Sequence, residues 1–469
     1  MKKLSIQSLI TVFCVLIIGG FESVIYAHPK PKETSSKKVI VVGAGISGLI
    51  AGLRLQEMGL EVVVLEKDPQ VGGRVYSEKL GGIYANLGAQ YFFKSDNEYL
   101  NKYLDNADKF YPEGGKVAAI WQGKMVSSWN ESFFLKLPID RKALEDFDAS
   151  IKKMQKLYSQ FSTGREYIFD KYPNSQTWVD LDQQTAAELL SEYHPDVKNL
   201  YNMFLIPEGG AGVSETSALL LTGWYGQANG EAGSYLIRNG NQKLPQAIAN
   251  DIKKMGGTIH LSKEVTSIEN INNGVSVKCK DQSVYTADYV VVTTPASVTK
   301  WIVKGLSEEK QSALNAVKYG ASMEVGLYLK NLPKSKRISS CIFHDEGINA
   351  YMDQSEKVLK NETVVSINIA GTEIQKLSDQ EVVEKVTQTL QKIYPGFTME
   401  KNIADYSVKR WKDGIVKYPP NFLNTYQEAL RERSGNIFFG GDYTHNPALD
   451  GAAWSGIRAA EQVLKAVEQ

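Results

Sequence analysis

The feature that most constrains the fold of this 469-residue chain is a glycine-rich segment between two apolar runs. The runs at residues 39–42 and 62–65 are wholly apolar, as parallel strands covered on both faces require. Three glycines follow the first run at G-x-G-x-x-G spacing, namely Gly43, Gly45 and Gly48. This spacing predicts a tight turn, a backbone that approaches a pyrophosphate, and a helix from about Ser47 that presents free N–H groups to the phosphates.

An acidic residue ends the second apolar run. Glu66 lies about 20 residues after the glycines, where a carboxylate binds ribose hydroxyls and disfavours a 2′-phosphate. Lys67, next in the chain, is a further candidate nucleotide contact. A lone glycine motif can be an accidental turn, but strand, helix, strand and carboxylate in this order favour a dinucleotide site. The motif alone leaves NAD and FAD open.

Two further segments distinguish FAD from NAD. Val71-Gly72-Gly73-Arg74 and Asn86-Leu87-Gly88-Ala89-Gln90 resemble motifs of the flavin amine oxidase superfamily, which includes monoamine and polyamine oxidases, protoporphyrinogen oxidases and phytoene desaturases. The resemblance implies that Gly73 and Arg74 lie along the FAD pyrophosphate, with Gly88, Ala89 and Gln90 beside the flavin. It also implies that the backbone of Val265 holds the adenine end.

A second glycine-rich cluster lies near the C-terminus. Gly440-Gly441-Asp442-Tyr443-Thr444-His445 follows a predicted strand, and a helix is predicted to begin near Gly451, with Asp450 as its N-cap. We expect Asp442 to accept hydrogen bonds from ribityl hydroxyls. The resemblance implies that the start of this helix, near Ala452, faces the flavin N1 and C2 carbonyl, where its dipole would stabilise the reduced anion. Two motifs that fit opposite ends of one cofactor predict FAD.

The order of elements predicts an α/β fold with two domains. A Rossmann-like FAD-binding domain, with a parallel sheet, helices and a β-meander, is expected from residues 38–93, 234–299 and 426–469. An inserted α+β substrate domain is expected from residues 94–233, which are predicted to be mainly helical, and 300–425. Within the second insertion, residues 408–411 and Tyr418 resemble a turn that brings Trp411 and Tyr418 near the flavin face in protoporphyrinogen oxidase-like members.

Charge and the N-terminus bear on partners and location. With 53 basic and 53 acidic residues the chain is formally neutral, which argues against nucleic acid as a partner. Lys2 and Lys3 precede an apolar run, and Ala27 ends a small-residue cleavage site, so residues 1–27 are predicted to be a signal peptide and 28–37 a flexible lead-in. The protein would then be periplasmic or secreted. The alternative is an uncleaved N-terminal anchor, the one route by which we expect it to contact a membrane.

Several departures from the family pattern matter. Asn86 replaces the usual acidic residue, and residues 321–325 lack the lysine that monoamine oxidases carry near the flavin. Neither Cys279 nor Cys341 lies where some members attach flavin, so FAD is expected to be noncovalent; the two could instead form one disulfide. Asn421 and Ala448 stand where monoamine oxidases have their two aromatic cage residues.

Four residues are candidates for the substrate side, with no catalytic residue and no metal site assigned: Trp411, Tyr418, His445 and Trp454. His445 could reach the substrate or, as a lone loop histidine, lie on the surface.

We expect an FAD-dependent oxidoreductase that takes hydride from a C–N or C–C bond of a small-molecule substrate. The cofactor would supply the chemistry, and oxygen or a protein or quinone acceptor would reoxidise it. A porphyrinogen oxidase or carotenoid-type desaturase is the alternative enzyme, and a noncatalytic FAD-binding protein or flavin-dependent isomerase is an alternative of another class. Because the paired cage is missing, a bulkier cyclic or extended substrate is expected over a small primary amine.

Overall fold

A computed structural model describes residues 37–92, 97–110, 116–128, 135–161, 175–226, 234–344, 347–355 and 361–469. The predicted signal peptide and the lead-in up to residue 36 lie outside these ranges. The strands are β1 (Lys38–Val42), β2 (Glu61–Leu65), β3 (Ser77–Leu80), β4 (Ile83–Asn86), β5 (Lys109–Phe110), β6 (Lys116–Trp121), β7 (Lys124–Ser128), β8 (Leu236–Ile237), β9 (Thr258–His260), β10 (Val265–Ile271), β11 (Gly274–Cys279), β12 (Val284–Ala287), β13 (Tyr289–Val292), β14 (Lys318–Leu329), β15 (Ile338–Phe343), β16 (Ala350–Asp353), β17 (Thr363–Ala370), β18 (Ile403–Lys417) and β19 (Ile437–Phe439).

The α-helices are α1 (Ile46–Glu57), α2 (Glu98–Asp105), α3 (Arg141–Tyr158), α4 (Gln176–Gln183), α5 (Ala186–Leu189), α6 (Pro195–Gly209), α7 (Ala218–Gly226), α8 (Lys243–Lys254), α9 (Ala296–Ile302), α10 (Glu308–Ala316), α11 (Asp379–Ile393), α12 (Met399–Asn402), α13 (Phe422–Arg431) and α14 (Leu449–Val467). Short 3₁₀ turns at Lys334–Lys336, Glu373–Lys376 and Asp442–Thr444 complete the described elements.

The first sheet is parallel and has the order β19-β13-β1-β2-β9. Its central strand β1 is buried from Val39 to Val42, because apolar cores lie on both of its faces. Helices α1, α8 and α14 cover one face, and the three-stranded antiparallel meander β10-β11-β12 covers the other. This arrangement confirms the predicted α/β fold with a parallel sheet, helices and a meander.

The second sheet has the order β18-β14-β17-β16-β15-β6-β7 and is antiparallel except for the pair β15 and β6. Helix α11 packs on one face, where Val325 and Val386 belong to a shared core. On the other face Gly326 approaches Leu87, which brings the sheet next to the segment that follows β4. The predicted domain boundaries stay a prediction.

One prediction for the inserted segments is confirmed and one is wrong. The described part of residues 94–233 is mainly helical, as predicted, although β6 and β7 also come from this segment and form the edge of the second sheet. Arg410 and Trp411 do not form a turn, since they lie inside the 15-residue strand β18. That strand pairs along β14, where Trp411 is opposite Ser322, and Tyr418 follows its end.

The helix N-termini are capped in different ways. A capping box begins α5, because the Glu188 amide donates to Thr185 Oγ1 at 3.1 Å and the Thr185 amide to Glu188 Oε2 at 2.7 Å. Asp450 is not the N-cap of the last helix. The helix begins at Leu449, two residues before the predicted start at Gly451, and Ala448 is its N-cap. The disulfide that the two cysteines could have formed is absent: Cys279 and Cys341 are free, buried thiols in separate sheets. In the described part of the chain, no helix combines the length and hydrophobicity that crossing a bilayer requires.

Candidate functional site

Two glycines at the turn between β1 and α1 have different surroundings. A Cβ atom on Gly48 would lie 1.9 Å from the Gly43 carbonyl oxygen, so this glycine is needed for the protein's own packing. A Cβ atom on Gly45 would meet nothing within 4 Å, although Gly45 is the residue directly before α1. Its φ of −72° is accessible to any residue. Gly45 therefore borders open space at a helix N-terminus, as the predicted pyrophosphate site requires.

Glu66 lies at the end of β2, beside this turn. The residue is 5% exposed, and its carboxylate accepts hydrogen bonds from the amides of Ala44 at 2.6 Å and Asp68 at 2.9 Å. Burial raises the pKa of Glu66, while these amide donors oppose the shift. The Lys263 amide donates to the Glu66 carbonyl at 2.7 Å, which brings Val265 at the start of β10 to the same edge. The ribose and adenine contacts predicted from the sequence thus lie close together.

Lys67 was also predicted to contact the nucleotide, but its side chain is exposed. Its side chain is 66% exposed, and its ammonium group contacts Asp68 at 3.2 Å. The side chain thus extends towards solvent, and its proposed contact with the nucleotide stays a prediction.

Arg74 joins two motifs that are 368 residues apart. Its guanidinium donates to both carboxylate oxygens of Asp442, at 2.7 and 2.8 Å, and to the Gly414 carbonyl at 2.9 Å. Burial lowers the pKa of Arg74, but the charge and hydrogen bonds of Asp442 outweigh burial. The net effect is a raised pKa. Gly73 precedes Arg74 at a φ of +54°, a conformation that favours glycine. The sequence placed both charged residues at the cofactor but did not reveal this ion pair.

Ser47 and Gly441 form a buried joint between α1 and the C-terminal motif. The Ser47 and Ser455 hydroxyls are 2.8 Å apart, and each accepts the Gly441 amide at 2.9 Å. A Cβ atom on Gly456 would lie 2.2 Å from the Ser47 carbonyl oxygen, so α14 approaches α1 closely at this point. The Ser47 side chain therefore bonds within the protein. Ala452, in the first turn of α14, is only partly buried.

The segment after β4 lies beside these elements. The Ala89 amide donates to the Arg74 carbonyl at 2.9 Å, and a Cβ atom on Gly88 would lie 2.0 Å from that same oxygen. Gly88, Ala89, Gln90 and Tyr91 are all partly accessible, as residues beside a bound flavin would have to be.

Two acidic side chains contact this segment, and the sequence motifs did not reveal them. Glu324 on β14 accepts hydrogen bonds from Gln90 and, at 2.6 Å, from Asn368. Glu208 near the end of α6 accepts the Tyr91 hydroxyl at 2.6 Å. Burial raises the pKa of Glu324 to about 8 and that of Glu208 to about 7. A signal was present in the sequence, since Glu324 lies within residues 321–325, the stretch that lacks the lysine of monoamine oxidases.

The four substrate-side candidates do not form one group. Tyr418 is buried and donates to the Asp442 carbonyl at 2.8 Å, whereas Trp411 donates to the Leu87 carbonyl at 2.8 Å. The Trp454 indole nitrogen is buried and meets no hydrogen-bond acceptor among the described residues. His445 is fully buried, so its placement on the surface is wrong; its Nδ1 lies 3.3 Å from the Asn446 side chain.

The positions that depart from the family pattern also find partners. Asn86 is buried in a network in which it donates to Gln354 at 2.6 Å and accepts the Asn241 amide at 2.8 Å. The Asn421 amide donates to the Asp182 carbonyl at 2.6 Å, which directs this residue towards α4. No group of three or more metal-binding side chains is assembled within the described ranges.

The glycine turn, the buried carboxylate of Glu66, the Arg74–Asp442 pair and the start of α14 converge from both ends of the chain. Open space at Gly45, an uncapped helix N-terminus and carboxylates placed for hydroxyl groups fit FAD. Fold and site together define a protein of the FAD-dependent oxidoreductase class.

The family model for flavin containing amine oxidoreductases matches residues 46–464, so the chain belongs to this family. Polyamine oxidase 4 of Oryza sativa subsp. japonica is 25% identical over 464 residues, which are 92% of this chain and 90% of that protein. Flavin-containing amine oxidase A of Sus scrofa is 23% identical over 477 residues, covering 92% and 85%. The chain is thus an FAD-dependent oxidoreductase of the amine oxidase type, and the predictions of family, enzyme class and cofactor are confirmed.

Solved structures show the same fold. Cyclohexylamine oxidase from Brevibacterium oxydans IH-35A superposes with a TM-score of 0.76 at 19% identity, covering 93% of this chain and all of that one. Wild-type putrescine oxidase bound to putrescine gives a TM-score of 0.75 at 19% identity, with coverage of 92% and 99%.

Proposed function

We propose that this enzyme oxidises the C–N bond of an extended or bulky cyclic amine that carries a positive charge away from the reacting carbon. The observation that supports this substrate class is the pair of acidic side chains, Glu208 and Glu324, beside Gln90 and Tyr91. FAD, when bound, accepts the hydride and passes its electrons to oxygen or to a protein or quinone acceptor. Gly45, Glu66, Arg74 and Asp442 would hold the cofactor.

The charge state of the acidic pair favours a cationic ligand. Without a neighbouring cation, burial keeps Glu324 largely protonated and Glu208 about half protonated at about pH 7, because their pKa values are raised to about 8 and about 7. An ammonium group within hydrogen-bonding distance would stabilise the carboxylate and lower its pKa. Cation binding should therefore release a proton from the pair. A neutral apolar substrate would gain nothing from this contact.

The first test uses a cation whose own charge does not titrate. We expect butyltrimethylammonium to inhibit the enzyme, with an inhibition constant that rises about tenfold for each pH unit below the lower of the two pKa values. In Glu324→Gln the ligand should bind at least about tenfold more weakly at pH 8, since the Coulomb attraction of opposite charges about 4 Å apart is worth up to about 4 kcal/mol at an effective dielectric constant of about 20. Inhibition that is independent of pH in the wild type, and unchanged in the variant, would contradict the proposal.

Substrate class is tested by stopped-flow reduction of the bound flavin under anaerobic conditions. Diamines, polyamines and cyclohexylamine derivatives should reduce it faster than benzylamine or short alkylamines. A misplacement of about 1 Å can cost about 10²-fold in rate, and Asn421 and Ala448 supply no rings to confine a small amine. Fast, saturable reduction by a short alkylamine would show that the missing cage is compensated, and reduction by a porphyrinogen alone would favour the alternative enzyme.

We also propose that the protein is exported. The support is the order of Lys2 and Lys3, an apolar run and a small-residue site ending at Ala27. Because the N-terminal pair is not twin arginine, the chain should cross the membrane unfolded and acquire FAD afterwards. Mass spectrometry of the mature protein should find His28 as its first residue. An intact Met1 in the membrane fraction would establish the anchored alternative.

A further inference from the structure

Arg458 is a partly buried residue of α14 that no sequence motif singled out. Its guanidinium donates to three acceptors, the Phe439 carbonyl at 3.0 Å, the Thr444 carbonyl at 3.1 Å and the Thr444 hydroxyl at 2.8 Å. These acceptors lie on both sides of the turn that holds Asp442. The planar fork of an arginine suits such a set, whereas a lysine cannot reach three acceptors in fixed directions.

The turn is held through a continuous chain of hydrogen bonds. Thr444, which accepts from Arg458, donates its own hydroxyl to the Gly441 carbonyl at 2.7 Å. The Gly441 amide is held from the other side by Ser47 and Ser455, each at 2.9 Å. Gly441 has a φ of +108°, so its peptide adopts a conformation that the surroundings must maintain. Arg458 thus acts on the peptide that precedes Asp442 without touching Asp442 itself.

Two other basic side chains surround the same turn. Arg431, the last residue of α13, also donates to the Thr444 carbonyl, at 2.8 Å. Lys310 is buried with its ammonium 3.8 Å from the centre of the Phe439 ring and donates to the Leu430 carbonyl at 3.0 Å. Burial, followed by the charge of Arg458, lowers the pKa of Lys310 to about 7. The positive charge of Arg458 therefore acts on the Lys310 ammonium inside the protein, where water screens the interaction little.

We infer that Arg458 is a positioning residue for FAD, which fixes the Gly441–Thr444 turn so that Asp442 and the start of α14 meet the cofactor in one geometry. The inference rests on FAD binding, which family membership shows, and it holds whichever amine is oxidised. Its failure would leave the proposed substrate class untouched. Geometry is the essential part, because the three acceptors are fixed by two different elements, β19 and the turn.

The test compares three variants of the purified holoenzyme. Arg458→Met removes the guanidinium, Arg458→Lys keeps the charge but loses the fork, and Arg337→Met removes a buried guanidinium in the second sheet, where Arg337 donates to the Glu362 carbonyl. The readouts are the dissociation constant of FAD from titration of apoprotein, and the two-electron reduction potential. Neither depends on knowing the substrate.

We expect both Arg458 variants to bind FAD about tenfold more weakly, as the loss of one or two hydrogen bonds predicts. A tenfold loss of preference for reduced over oxidised flavin would lower the potential by about 30 mV. Arg337→Met should melt at a lower temperature with both readouts unchanged. If Arg458→Lys matched the wild type, charge alone would explain the effect and the positioning role would be overturned; unchanged affinity and potential in Arg458→Met would overturn it as well.

Thr444→Val keeps the test decisive if the Arg458 variants do not fold. It removes one acceptor of Arg458 and the bond to Gly441 while preserving the side-chain shape. FAD affinity should again fall about tenfold. Where all variants fold, Arg458→Lys combined with Thr444→Val should bind FAD no more weakly than the weaker single variant, since both act through the same chain of bonds. Additive losses would show that the two residues act independently and would contradict the inference.

Discussion

Gly45→Val is expected to fold normally and to lack bound flavin. A Cβ atom at this position enters open space and meets no protein atom within 4 Å, so we expect the substitution to cost the ligand-free protein little. The same space is where the pyrophosphate would approach the N-terminus of α1. Displacing it should forfeit at least two charge-assisted hydrogen bonds of about 1.5–3 kcal/mol each, and so weaken FAD binding by more than about 100-fold. The measurement is the flavin absorbance of the purified protein, followed by titration of FAD into apoprotein.

Gly48→Ala is the matched control, and it should show the opposite pattern. In an exposed helix this change would stabilise by about 1 kcal/mol, but here the added methyl group would lie 1.9 Å from the Gly43 carbonyl oxygen. Overpacking of this kind costs about 1–3 kcal/mol, which lowers the melting temperature of the apoprotein. If Gly45→Val retained the full flavin spectrum, the pyrophosphate would have to lie elsewhere.

The difference between the two glycines shows what the sequence could and could not reveal. The spacing predicted a tight turn whose backbone approaches a pyrophosphate, because the G-x-G-x-x-G motif has a fixed geometry after a buried strand. The parallel strands were likewise predictable, since β1 and β13 are short, apolar and covered on both faces. Local rules sufficed where a backbone conformation decided the outcome.

Features that depend on distant pairing were not predictable in the same way. Strands β6 and β7 lie in an aromatic-rich segment whose residue pattern is typical of amphipathic helices. They are strands because β6 pairs with β15. Trp411 lies in β18 for the same reason, since β14 pairs with it along most of its length. Such pairing overrides local preference, and one sequence does not state which strands meet.

Charged pairs within the site were missed for a related reason. Arg74 and Asp442 were each assigned to FAD, yet nothing in their separate motifs says that the two side chains meet. Glu208 and Glu324 come from a helix and a strand more than 100 residues apart in the chain. Their importance depends on burial, which raises the pKa of each, and burial is a property of the folded chain.

Asp442→Ala is expected to have the second large effect, because it removes a carboxylate with two roles. Its loss would leave the Arg74 guanidinium without its bidentate partner, and that side chain is only 36% exposed. Partial exposure limits the cost to the apoprotein to about 1–3 kcal/mol, less than a fully buried charge would require. FAD binding should weaken by a further 100-fold or about 3 kcal/mol, since the ribityl hydroxyls would lose their acceptor and the free guanidinium would be available to distort the site.

Asp353→Ala separates the two roles, because Asp353 is also a buried carboxylate but lies in the second sheet, where it accepts Thr363 Oγ1 at 2.7 Å and the Ser355 amide at 2.9 Å. It should lower stability to urea by a similar amount and leave the dissociation constant of FAD unchanged. Equal loss of FAD affinity in both variants would mean that Asp442 acts only through stability. Asp442→Asn refines the comparison: its amide oxygen can still accept one N–H of Arg74, but its NH₂ group faces the other, so FAD affinity should fall between the wild type and Asp442→Ala.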